Sequence, residues 1–141
     1  MTKFKNIATI IIFLMILSGC GLFESTSDKI IGHFNVSFVD DVNWRSVCLD
    51  NGTLIEPYVF AVGHNEKYIV VKQHPSNRNE FKIDTGVTKY FIIDISKVDY
   101  KGNGIYSSLD KQQFDSISTI LKIKNIKFDM NYPEQPHVFA R

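Results

Sequence analysis

Cysteine is scarce in this chain: Cys20 and Cys48 are the only two among 141 residues. That excludes the disulfide framework that staples many small secreted domains. Neither sign of charge is in excess, with 16 Lys and Arg against 15 Asp and Glu. The chain therefore lacks the basic field that draws nucleic acid phosphates, and nucleic acid is not expected as a partner. No apolar run approaches the roughly 20 residues that a spanning helix needs. Repeats, low-complexity tracts and dividing linkers are also missing, so one domain is expected. What the chain does have is a globular composition, 44% hydrophobic and 13% aromatic, well outside the lean and charged range of disordered chains.

The N-terminus has its own organisation. Lys3 and Lys5 give a short positive region, followed by a mostly apolar run from Ile7 to Leu17. That length suits the core of an export signal rather than a membrane span. Leu17-Ser18-Gly19-Cys20 then resembles the lipobox of bacterial lipoproteins, an aliphatic residue and two small ones before a cysteine. The small residues admit the backbone to a signal peptidase that cuts between Gly19 and Cys20. The Cys20 thiol is the nucleophile that accepts a diacylglyceryl group, and the freed amine can take a further fatty acid such as palmitate. Two or three acyl chains hold stably where one, at about 0.8 kcal/mol per buried CH₂, holds only marginally. The expected organisation is a signal peptide at 1–19, a lipidated tether at 20–28 and a single domain at 29–141. The domain faces the extracytoplasmic side of the cell membrane or the outer membrane. With Lys3 and Lys5 removed the mature chain carries 14 basic and 15 acidic residues.

The mature part reads as strands followed by one helix. Phe34, Val36 and Phe38 alternate with polar neighbours, the period of a half-buried strand. Trp44 to Leu49 reads as another strand, with Cys48 as a small buried hydrophobe and Trp44, the only tryptophan, as a core residue. Asp50-Asn51-Gly52 supplies a tight hairpin turn leading to a partner strand over 53–55. Tyr58 to Val62 follows. Tyr68-Ile69-Val70-Val71 and Tyr90 to Ile95 are apolar on both faces, so either both faces of the sheet are covered or the sheet curls on itself. Pro75 to Thr85 reads as the longest loop. Asp110 is the expected N-cap of a helix, with Gln113 completing a capping box and Leu109 and Phe114 placed as a hydrophobic staple. Phe114, Ile117 and Leu121 line one helical face, and Asn125 is the expected left-handed terminator. A late extended segment runs through Ile126, Phe128 and Met130. The expected class is α+β: a small antiparallel sheet with one packed C-terminal helix, preceded by the signal peptide.

Three segments, Tyr68-Ile69-Val70-Val71-Lys72-Gln73, Tyr90-Phe91-Ile92-Ile93-Asp94 and Leu109-Asp110-Lys111-Gln112-Gln113-Phe114, together resemble a family of small bacterial lipoproteins classed as a domain of unknown function. Gly102 to Ser108 stands where that family tends to have Gly-Pro. The resemblance implies a lipid-anchored α+β domain and carries no catalytic residue or cofactor.

No arrangement with chemistry stands out. His64, Glu66 and His74 flank the central strand without the local spacing of metal ligands, so no metal or cofactor is expected. His33 with Asp40, Asp41 and a serine lacks the nucleophile elbow and oxyanion loop of a hydrolase. Lys72, Gln73 and His74 lead into the loop carrying Arg78, beside Tyr68 and Tyr90, and loops on a rigid sheet are where contact residues gather. These six form the expected binding surface. The expectation is a membrane-anchored, non-enzymatic binding or interaction module with an envelope protein as its candidate partner. The alternatives are a small envelope hydrolase and a purely structural envelope protein.

Overall fold

The computed structural model describes residues 25–39, 41, 43–77 and 82–133. The signal peptide, the cleavage site at Gly19 and Cys20, and Arg78 lie outside the described residues. The strands are β1 (Ser25–Ile31), β2 (Phe34–Val39), β3 (Ser46–Leu49), β4 (Gly52–Ile55), β5 (Val59–His64), β6 (Tyr68–Gln73), β7 (Ser76–Asn77), β8 (Lys82–Ile83), β9 (Lys89–Asp94), β10 (Ile105–Leu109) and β11 (Met130–Asn131), with helix α1 at Lys111–Ile120. All pair antiparallel, and the class is α+β as expected.

The sequence reading anticipates one sheet, but the structure has two, plus a two-stranded hairpin. The orders are β1-β2-β3-β4, β10-β9-β6-β5-β11 and β7-β8. Alternation along a strand reveals which residues are apolar but not which sheet a strand joins. The hairpin β7-β8 lies within the segment expected as a loop.

The apolar character of both faces of β6 and β9 now has its reason. On one face Ile69, Val71, Phe91 and Ile93 pack with Val59 and Val62 against Phe34, Val36, Val47 and Ile55 of the first sheet. On the other face Val70 and Ile92 meet Ile123 and, around it, Phe114, Ile117, Leu121, Ile126 and Phe128. The molecule is therefore three layers deep, and β6 sits at the middle of its sheet, covered on both sides.

Local chemistry fixes the ends of these elements. Asp50 takes φ 51° between β3 and β4, the left-handed conformation that Asp tolerates in a hairpin turn. The capping box forms: the Asp110 carboxylate accepts from the Gln113 amide at 2.8 Å, and the Gln113 side chain accepts from the Asp110 amide at 2.9 Å. Helix α1 stops earlier than Asn125. Leu121 is its C-cap and Lys122, with φ 58°, is the left-handed residue. Asn125 was favoured on residue type alone, yet Ile123 must turn back into the core between Val70 and Ile92, and that sets the stop two residues ahead.

Residues 25–28 of the segment expected as the tether, 20–28, fall within β1. Ser25 to Asp28 pair with Val39 to Val36 as the outer strand of the first sheet. A polar edge strand exposed on both faces has no hydrophobic period to announce it. Among the described residues no helix is long and apolar enough to cross a membrane.

Candidate functional site

Residues nominated from the sequence divide according to the pleat of β6. Tyr68, Val70 and Lys72 project toward the helix layer, whereas Gln73 projects the opposite way. Gln73 is buried, and its side-chain amide donates to the carbonyls of Glu56 at 2.7 Å and Pro57 at 3.1 Å, pinning the turn between β4 and β5. Tyr68 shares the face of Lys72 but pairs with Asp94 at the opposite end of the strand, about 13 Å away at the rise of an extended chain. Of the six nominated residues, the structure gathers Lys72, His74 and Tyr90.

These three sit among rings. The Lys72 ammonium lies 4.3 Å from the Phe128 ring centroid and 6.0 Å from that of Tyr90, within cation–π range. Tyr90 stacks on Phe114 at 4.7 Å, and Phe114 meets Phe128 at 6.2 Å. His74 stacks on Phe60 at 4.1 Å, and its Nδ1 lies 2.8 Å from the Val87 carbonyl oxygen. Phe60, Phe114 and Phe128 were not nominated. Phe60 reaches His74 because the β5–β6 register shifts between Val59 and Ala61, a bulge that no residue pattern signals.

A second set of contacts runs along the same end of the molecule. Trp44, expected in the core, is 42% exposed. Its amide donates to the Asp41 carbonyl at 3.0 Å, closing the turn from β2 into β3, and its ring leans on Tyr58 at 5.4 Å. Arg45 takes the interior position instead, with its guanidinium 4.7 Å over the Tyr132 ring. Burial lowers the pKa of Arg45, against the pull of Tyr132, Asp41 and Asp28 in the other direction. The Tyr132 hydroxyl donates to Asp28 at 3.0 Å, tying β1 to the chain's late segment. Burial and then Asp41 push the Tyr58 hydroxyl up. The Tyr58 carbonyl accepts from the His74 amide at 3.0 Å. Contacts thus run from Trp44 through the buried Tyr58 and then His74 to Val87, a rim whose exposed ends are Trp44 and Val87, the latter at 38%.

The candidate chemical clusters do not assemble. His64 pairs with Ile69 at one end of β6, and His74 follows its other end, so the length of a strand separates them. Among the described residues no three His, Cys, Asp or Glu converge as metal ligands. Asp40 lies outside the described residues; His33 faces Asp50 at 2.8 Å rather than Asp41, and both the His33 and Asp50 side chains are largely exposed. They border an open groove of about 410 Å³ with Ser27, Lys29, Phe34 and Asn35. Ser27 is four residues along β1 from the turn, about 13 Å at strand rise, too far to be activated by His33. Cys48 is buried in β3 as expected.

Asp94 ends β9 and is buried. Its Oδ1 accepts from the Ser96 hydroxyl at 2.7 Å and the Ser96 amide at 3.1 Å, while Oδ2 lies 3.3 Å from the Lys97 ammonium. The Ser96 hydroxyl, then Lys97, hold the carboxyl below its ordinary 3.8 against the opposing effect of burial. A depressed carboxyl stabilises the fold above its ordinary pKa, and the benefit disappears as pH falls through the lowered folded value. Asp94→Asn is expected to cost about 2 kcal/mol at neutral pH. It should also flatten the decline of the thermal midpoint between about pH 5 and pH 2, as read by circular dichroism melts of both proteins. An unchanged slope would show that Asp94 is not a source of the acid sensitivity.

Every segment that carried the resemblance therefore holds a structural pin: Gln73 on the Pro57 turn, Asp94 on the turn after β9, and Asp110 with Gln113 on α1. A family described as proteins of unknown function, DUF3997, matches residues 34–132. The chain belongs to this family. The match takes in every strand from β2 to β11 and leaves out β1, although β1 completes the first sheet. No curated protein and no solved structure matches the chain. Membership in DUF3997 brings no activity with it.

Proposed function

We propose that this DUF3997 protein is a lipoprotein of the bacterial cell envelope, a non-enzymatic interaction module held to a membrane through Cys20. The observation that carries this reading is the sequence Leu17-Ser18-Gly19-Cys20, placed directly behind an apolar export core and five residues ahead of β1. The thiol accepts the diacylglyceryl group, cleavage exposes the Cys20 amine for further acylation, and the folded part begins almost at once. Several side chains with acid–base capacity are engaged in structure: Asp94 in a turn, His74 between Phe60 and Val87, Arg45 on Tyr132. That distribution supports a module working by contact, with Lys72, His74 and Tyr90 as the parts of its expected surface that lie together and an envelope protein as the candidate partner.

Mass spectrometry of the membrane-extracted protein tests the reading. The expected N-terminus is Cys20 carrying the added mass of a diacylglyceryl group, with or without an amide-linked fatty acid. Cys20→Ser is expected to accumulate as uncleaved precursor. An unmodified and uncut amino terminus would overturn the proposal, as would a Cys20→Ser protein that matures and partitions into detergent like wild type.

A further inference from the structure

The aromatic rim lies at the end of the molecule where the chain from Cys20 enters. Ser25, the first residue of β1, pairs with Val39, the last residue of β2, and Ser37 pairs with Ser46 of β3. The turn that carries Trp44 therefore closes beside the start of β1, about two strand spacings or 10 Å across the sheet. Five residues span at most about 17 Å even when fully extended, so an acylated Cys20 keeps this end within roughly 2 nm of the lipid headgroups. At that end stand Trp44, exposed at 42% and backed by the buried Tyr58 ring, and Val87, exposed at 38%. Tryptophan, with an apolar body and a polar tip, favours the boundary between headgroups and acyl chains. Charge on the rim is mixed: Asp41 and Glu56 are there with Lys89 at the start of β9. Among the described residues its exposed contact is thus aromatic and apolar, without a basic cluster to select anionic lipid.

We infer that the exposed rim residues Trp44 and Val87 seat in the interfacial region of the same bilayer that holds the lipidated cysteine. The inference rests on the lipid-anchor reading and adds a second, non-covalent partner to it, the bilayer surface itself. Two weak membrane contacts on one short chain reinforce each other, because the anchor holds the rim at high local concentration over the headgroups. The result is a fixed orientation. The hairpin ends bearing His33, Asp50 and Tyr100 point away from the membrane, since Asp50 and the Tyr100 hydroxyl, bonded to the Leu49 carbonyl, lie at the opposite end of β3. The open groove beside His33 is then presented to the envelope space.

Trp44 is the only tryptophan in the chain, so its fluorescence reports on the rim alone. The full-length lipidated protein is reconstituted into phosphatidylcholine vesicles containing lipids brominated near the headgroup end of the acyl chain, and vesicle flotation is measured alongside emission. The expected result is a blue-shifted Trp44 signal quenched several-fold more than that of a Trp44→Phe/His33→Trp protein, whose reporter sits at the far end. Expected also is little change with added salt. A protein that floats with the vesicles while Trp44 keeps solvent-like, unquenched emission would overturn the seated rim and leave the anchor standing. Equal quenching of both reporters would overturn the orientation. Failure to float would remove the anchor and this inference with it.

Discussion

Gly63→Ala is expected to destabilise the fold by about 3 kcal/mol or more, lowering the thermal midpoint by roughly 12 °C. Gly63 lies in β5 opposite Val70, and the chain from Ile126 to Phe128 crosses directly over it. A methyl group there would overlap the Lys127 carbonyl oxygen, with the Lys127 carbonyl carbon 2.8 Å away and the Ile126 Cγ2 at 3.2 Å. The obstructing atoms are backbone, so no side-chain rotation relieves the overlap. The covering segment must lift, and with it the Ile126 and Phe128 contacts that close the second core. Differential scanning calorimetry of the two proteins measures the effect. A shift of less than about 1 kcal/mol would mean that the 126–128 segment does not press on β5.

The second large effect is expected at Ile92. Its side chain is fully buried between β9 and the helix layer, beside Val70 and Ile123. Ile92→Ala removes three carbons from a core much smaller than the one between the sheets, and is expected to cost about 4 kcal/mol. The loss should not be uniform. A helix of ten residues is marginal in water by itself, so α1 persists because Phe114, Ile117 and Leu121 have somewhere to dock. Hydrogen exchange should therefore accelerate first in α1 and the 121–128 segment, with β2 and β3 following at higher denaturant. Ile120→Ala, at a position 77% exposed, serves as the contrast and should stay within about 0.5 kcal/mol of wild type. Uniform loss of protection in Ile92→Ala would mean that the two cores unfold as one.

The features legible in the sequence are those whose cause is local. The Asp50 turn, the Asp110–Gln113 box, the central position of β6 and the burial of Cys48 each follow from a few adjacent residues, and each is present in the structure. The features it did not disclose depend on which distant segment arrives. Two sheets rather than one follow from the way β1 to β4 fold over β6 and β9, a choice that strand periodicity does not encode. Arg45 takes the interior place expected of Trp44 because Tyr132, 87 positions further along, offers the guanidinium a ring to lie on inside. Large size and apolarity argued for burying the tryptophan, but the turn at Asp41 aims it outward. Of the expected contact surface, Lys72 and Tyr90 meet because they are cross-strand partners on β6 and β9, and His74 follows two residues after Lys72, just past the end of β6. Gln73 was grouped with them by adjacency alone, and the pleat sends it to the opposite side.

The clasp between Asp28 and Tyr132 bears on how the molecule withstands force. Hydrogen bonds in an antiparallel ladder run perpendicular to the strands, and β1 is joined to β2 from Ser25 to Ile31. Tension transmitted through the residues ahead of Ser25 along the axis of β1 would load that whole row of bonds in shear, and the Tyr132 hydroxyl fastens the middle of the same strand to the far end of the polypeptide. A domain dragged by its leading end in this direction resists as a unit instead of peeling open one residue at a time.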